Sequence, residues 1–127
     1  MTIAFWIFCV SALAVLLAFS LAMRRKGQIS TRAAASYVKH GALVVDVRSP
    51  REYNAGHLSQ AFNFPLDELE GSVAQRVKDK SRVILVHCRT GLRSKKAKER
   101  LARIGYTNVF VLGSYARALK IVTGRAL

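Results

Sequence analysis

The sequence predicts an α/β domain with a central parallel sheet flanked by helices, preceded by one transmembrane helix. Three observations lead there. After residue 27, short apolar runs rich in β-branched residues alternate with amphipathic stretches, the pattern of strands and helices in a parallel sheet. The first 23 residues carry no charged side chain. The chain has 127 residues, enough for one small domain and too few for two.

The opening run from Ile3 to Ala22 is almost wholly apolar. As a helix at about 1.5 Å per residue it reaches roughly 30 Å, the thickness of a bilayer core. Trp6 suits the interface at one end, and Arg24, Arg25 and Lys26 follow at the other. No Lys or Arg precedes the run, so the positive-inside rule puts the N-terminus outside and the remainder in the cytoplasm, on a single-pass anchor. A cleaved signal peptide is the rival, with Ser20-Leu21-Ala22 as a small-residue cleavage site. It lacks the positive leading region, and the run exceeds the usual ~7–15 residues. A buried core helix is the third reading, but a helix apolar on all sides would overwhelm so small a domain. The expected division is 1–26 for the anchor and its basic flank and 27–127 for the domain.

Within the domain, Ser30 can cap a helix through Ala33 to Val38 that stops at Gly41. Leu43-Val44-Val45-Asp46-Val47 reads as a strand. Ser49 and Glu52 form a capping box around Pro50, which fits the first helical position, and Gly56 ends that helix. Ala61 to Phe64 reads as a brief strand before Pro65. Leu66, Leu69, Val73 and Val77 fall on one helical face. Val83-Ile84-Leu85-Val86 suits a central parallel strand buried on both faces. A helix after Gly91 places Ala97, Leu101 and Ile104 inward and closes at Gly105. Val109 to Leu112 is the last strand, and a short helix follows Gly113.

Charge and cysteines narrow the function. There are 21 Lys and Arg against 7 Asp and Glu, a balance that suggests an anionic partner: a nucleic acid, an anionic membrane or a small anion. Zinc-finger spacing and ribonucleoprotein-type aromatic strings are missing from the sequence, so no nucleic-acid partner is expected. The helix after Gly91 exposes Lys95, Lys96, Lys98, Arg100 and Arg103, a basic face that suits solvent or anionic lipid on the cytoplasmic leaflet. The two cysteines are Cys9, inside the apolar run, and Cys88. They do not suit a disulfide framework, and a lone domain thiol suits a reducing compartment.

Cys88 stands at the end of the central strand, where open α/β sheets place their sites. A glycine-containing turn follows and then a helix, so backbone N–H groups and the helix N-terminus can face the sulfur. Arg89 and Arg93 add full positive charge, and all of these favour a thiolate. The other reading of Cys88 is a small core residue at a strand end.

His87-Cys88-Arg89-Thr90-Gly91-Leu92-Arg93-Ser94 resembles the active-site loop of rhodanese domains. Val45-Asp46-Val47-Arg48 and Glu52-Tyr53-Asn54-Ala55-Gly56-His57-Leu58 resemble that family's two upstream signatures, and Phe64-Pro65-Leu66 and Val111-Leu112-Gly113 its later landmarks. The likeness covers about residues 28–120, and an anchor before one such domain resembles small membrane-anchored bacterial rhodaneses. It implies a sulfurtransferase without metal or cofactor. Thiolate of Cys88 takes a sulfur from a small anionic donor such as thiosulfate, holds it as a persulfide and passes it to cyanide or a thiol. The substrate would be cradled by Arg89, Thr90, Gly91, Leu92, Arg93 and Ser94, with Arg93 or Arg89 on the donor's oxyanion.

Asp46, Arg48, Glu52 and His57 would brace the site, Glu52 through its capping box and a pair with Arg48. His87 would point away from the loop. A loop of six residues from Cys88 to Arg93 matches sulfurtransferase members, whereas phosphatases of the same fold carry one more. Its basic character resembles thiosulfate-type rather than mercaptopyruvate-type members. Two features depart from the family. The usual Gly-His-Ile-Pro-Gly-Ala turn appears as Gly56-His57-Leu58-Ser59-Gln60-Ala61, and the glycine- and tryptophan-rich end as Gly113-Ser114-Tyr115-Ala116-Arg117-Ala118. A non-catalytic membrane-tethered interaction module and a cysteine-dependent phosphatase or arsenate reductase remain as alternatives.

Overall fold

The computed structural model describes residues 2–125; the expected end of the domain at residue 127 lies outside them. Helix α1 runs from Ile3 to Arg25. Its apolar span, Ile3–Met23, is long and apolar enough to cross a membrane, and none of its most apolar stretch is buried against the domain. That exposure removes the core-helix reading.

The domain follows as α2 (Thr31–Lys39), β1 (Leu43–Asp46), α3 (Pro50–Ala55), β2 (Ala61–Asn63), α4 (Leu69–Arg76), β3 (Ile84–His87), α5 (Leu92–Arg103), β4 (Val109–Gly113) and α6 (Tyr115–Thr123). The four strands form one parallel sheet in the order β2-β1-β3-β4. The chain leaves β1 toward β2 on one side and returns to β3 on the other. The carboxyl ends of β1 and β3 therefore meet at a topological switch point, where a parallel sheet opens a crevice.

Alternation along the strands sorts the core into two layers. Val45, Val86 and Val111 face α4 and α5, packing with Leu69, Val73, Ala97 and Leu101. Val44, Leu85 and Leu112 face α2 and α6, packing with Ala34, Ala118 and Ile121. Cys88 continues the first layer beyond Val86. Serine caps open three of the helices. Ser30, Ser49 and Ser114 each accept the N–H of the residue three positions on, at 3.2 Å, and the reciprocal Glu52 bond completes the capping box at Ser49.

Two elements depart from the expected boundaries. The helix expected from Leu66 opens as a 3-10 turn over Leu66–Glu68, because Leu66 N–H donates to the Val47 carbonyl at 3.1 Å and is held to the end of β1. The central strand runs Ile84–His87 rather than from Val83, whose carbonyl accepts Leu43 N–H at 3.0 Å. Between α1 and α2 the chain is not loose. Gln28 makes a parallel bridge to Val111, and Ile29 N–H donates to the Val111 carbonyl at 3.0 Å. Lys95 Nζ donates to the Met23 carbonyl.

Candidate active site

Cys88 is the residue immediately after β3 and is fully buried. Its N–H donates to the Gly113 carbonyl at 3.1 Å, which extends the sheet pairing one residue past β3. Its Sγ accepts the Gly91 N–H at 3.0 Å and lies 3.7 Å from Ser94 Oγ. Gly91 has φ +100, and this left-handed conformation turns its N–H back onto the sulfur. Because α5 starts there, its first ladder bond is Lys95 N–H to the Gly91 carbonyl at 3.3 Å. The N–H groups of Leu92, Arg93 and Ser94 precede that ladder and carry the positive end of the helix dipole. Ser94 Oγ donates to the Gly91 carbonyl at 2.9 Å and can accept the thiol proton. Thr90 is exposed and bridges to Ser114; Leu92 is exposed.

The two loop arginines are placed unequally. Arg93 forms a two-pronged pair with Glu52, at 2.7 and 2.9 Å. Arg89 is largely in solvent, with Nε 3.7 Å from the same carboxylate. The Arg93 guanidinium, helped by the Ser49 N–H, holds the Glu52 carboxyl down at about 2. Glu52 thus makes its capping box, but its ion pairs go to the loop and not to Arg48 as the sequence suggested. The reason is geometric. Arg48 is taken by Asp46, with Nε at 3.0 Å from both carboxylate oxygens and Nη2 at 2.7 Å from Oδ2.

Asp46 and Arg48 close a buried brace at the end of β1. Arg48 Nη2 also donates to the Gly56 carbonyl at 2.8 Å, tying the end of α3 to the sheet. Its guanidinium lies 4.7 Å from the centre of the Tyr115 ring. Asn63 Nδ2 donates to the Asp46 and Arg48 carbonyls at 3.0 Å each. His57 stays outside this brace. It is exposed, stacks on Tyr53 at 3.7 Å and bonds the Tyr53 carbonyl through Nδ1 at 2.8 Å. His87 is buried on the Asp46 and Tyr115 side, with Nε2 3.8 Å from Asp46 Oδ2. Burial lowers its proton affinity.

Asn63, Gly113 as a carbonyl acceptor, and Tyr115 were not singled out as site residues from the sequence. No local pattern marks them, because each acts through a contact set by the sheet register. Above the brace lies a cavity of about 460 Å³ bordered by Arg48, Glu52, Gly56, Arg89 and Tyr115. Among the described residues no group of three His, Cys, Asp or Glu can hold a metal.

A parallel sheet with a switch-point cysteine, its sulfur facing a helix N-terminus through a glycine turn, defines an α/β protein of the cysteine-loop class. A sequence profile of the Rhodanese-like domain matches residues 30–117, and the chain belongs to that family. The thiosulfate sulfurtransferase PspE of Escherichia coli is 42% identical over 65 residues, covering 51% of this chain. The chain spans 62% of that relative's length. The tRNA uridine(34) hydroxylase of Erwinia tasmaniensis is 33% identical over 73 residues, and only 21% of its length is covered. Among solved structures, a rhodanese with anions from E. coli is 36% identical with a TM-score of 0.58, over 61% of this chain and 91% of that one. The human single-domain sulfurtransferase TSTD1 is 26% identical with a TM-score of 0.64, over 74% and 96%.

Proposed function

We propose that the chain is a sulfurtransferase that carries sulfane sulfur as a persulfide on Cys88, tethered by α1 to a membrane with the domain on the cytoplasmic side. The observation that carries this reading is the Gly91 N–H on Cys88 Sγ at 3.0 Å, backed by the first-turn N–H groups of α5. These donors suit an anionic sulfur and then the terminal sulfur of a persulfide. The six-residue span from Cys88 to Arg93 and the likeness to PspE support sulfur rather than phosphate as the transferred group.

As the donor enters, the thiol passes its proton by way of the Ser94 hydroxyl, 3.7 Å from Sγ, to water. The thiolate attacks the outer sulfur of thiosulfate, a Cys–S–S bond forms, and the donor's S–S bond breaks with its electron pair leaving on sulfite. Cyanide or a thiolate then attacks the terminal sulfur of the persulfide, and the Cys88 thiolate is released. Arg89 has the freedom to meet the donor's sulfonate oxygens, because it is 70% exposed and only loosely held by Glu52. Arg93, pinned by Glu52, positions the loop and supplies charge from behind.

Thiocyanate formation from thiosulfate and cyanide should be present in the wild type and at background in Cys88→Ser. Intact mass after donor alone should rise by one sulfur in the wild type only. Equal thiocyanate from both proteins would overturn the reading, and Cys88-dependent hydrolysis of an aryl phosphate would replace it with the phosphatase.

A further inference from the structure

A second cavity of about 810 Å³, sharing Arg89 with the cavity over the brace, lies between the end of α1 and the start of α6. Leu21 of α1 lines it, with Gln28 of the connecting segment and the cations Arg89, Arg117 and Lys120. Among the described residues no Asp or Glu lines it. Arg117 is half-buried, and its guanidinium donates to the Leu112 and Ile29 carbonyls. Other arginines withdrawn from solvent differ. Arg48, Arg93 and Arg100 each sit on a carboxylate, which strengthens their hold on the proton, whereas burial alone weakens it in Arg117. Among the described residues, Arg117 has no carboxylate partner in an ion pair. Among the described residues, the positive charge that Arg117 and Lys120 bring to the cavity is therefore not neutralised by a carboxylate.

Its depth is fixed by α1. The apolar span Ile3–Met23 is 21 residues. That is about 32 Å of helix, against a hydrocarbon core of about 30 Å. Leu21 stands at the end of that span, where hydrocarbon gives way to phosphate. The short connection and its bridge to Val111 hold the cations of α6 beside it. Leu21 sits on one side at the hydrocarbon boundary; on the other stand Arg117 and Lys120, neither in an ion pair with a carboxylate among the described residues. An anion with an attached apolar chain matches both sides at once.

We propose that this cavity binds the phosphate of an anionic phospholipid and so seats the mouth of the Cys88 site on the membrane surface. The proposal rests on the reading of α1 as a membrane tether. Arg89 borders both cavities, so the lipid phosphate and the sulfur donor share one guanidinium. The α5 lysine face is a separate surface and is not invoked.

The test uses the full chain in nanodiscs of mixed phosphatidylcholine and phosphatidylglycerol, followed by native mass spectrometry of the lipid that stays bound after release. Phosphatidylglycerol should be retained in preference. Lys120→Gln should lower the retained ratio about fivefold, the loss expected for one cation at an anionic surface. Arg117→Gln should lower it as well in protein that melts like wild type, and the exposed Lys96→Gln on α5 should leave it unchanged. Equal retention of the two lipids, or an equal fall in Lys96→Gln, would overturn the proposal. So would inorganic phosphate that binds in a Lys120-dependent way in purely zwitterionic discs and also strips the retained phosphatidylglycerol from the mixed discs. A chain that never enters the discs or floats with vesicles would overturn the tether reading and the proposal together. A chain that enters without lipid preference would overturn the proposal alone.

Discussion

Glu52 does three things with one carboxylate: it closes the cap of α3, grips Arg93 and faces Arg89. Its folded carboxyl holds its charge down to about 2, against 4.5 for a free glutamate. A depressed carboxylate stabilises the fold fully above about pH 4.5 and loses that contribution as pH falls toward 2. Glu52→Gln should therefore cost roughly 1–2 kcal/mol at pH 7, after discounting for partial solvent exposure. The gap to wild type should narrow between pH 4.5 and 3 in urea titrations. A gap independent of pH would mean that the loss is one of packing. The places of Cys88 and Glu52 were both legible in the sequence, since a strand-end cysteine before a glycine turn and a Ser-Pro-x-Glu cap are local patterns. The partner of Glu52 was not legible. It depends on which arginine the sheet register places opposite, and Asp46 already takes Arg48.

The elements read most cleanly where period and punctuation agree. The strands from Leu43, Ile84 and Val109 and the helices capped by Ser30 and Ser49 stand within a residue or two of expectation. The 3-10 turn at Leu66–Glu68 was not legible, because the bond that makes it reaches from the end of β1. β4 carries a constraint that its sequence does not announce. Gly113 has φ +98, and a Cβ there would stand 2.4 Å from Gln28 Nε2. The same residue's carbonyl takes the Cys88 N–H. Gly113→Ala should lose about 1–3 kcal/mol for its left-handed backbone and should slow sulfur transfer by shifting Cys88. In a Gln28→Ala background the steric part should disappear and the backbone part remain. Complete recovery by Gln28→Ala would show that side-chain crowding, not conformation, requires the glycine.

For the whole molecule, the parallel sheet flanked by helices follows from alternation of pattern. The sheet order 2-1-3-4, and with it the meeting of Asp46 and Cys88 ends, follows from pairing that no single segment encodes. The boundary between α1 and the domain is sharper in space than in sequence. Residues 28–30 belong to the domain through the Val111 bridge, the Arg117–Ile29 bond and the Ser30 cap. Chains starting at residue 28 should keep the thermal melt of the parent domain, whereas chains starting at residue 31 should lose about 1–3 kcal/mol for the missing cap and unpaired groups. Equal melts would show that the connecting segment is a passive leash.

The bridge between Gln28 and Val111 is also a mechanical coupling. Tension applied through α1 reaches β4 at this bridge, and β4 holds the backbone of Cys88 through the Gly113 carbonyl. Pull along the strand shears this joint, whereas pull across it peels one bond at a time. A pull on α1 thus reaches the Cys88 loop through β4, with the Lys95–Met23 and Arg117–Ile29 bonds sharing the load.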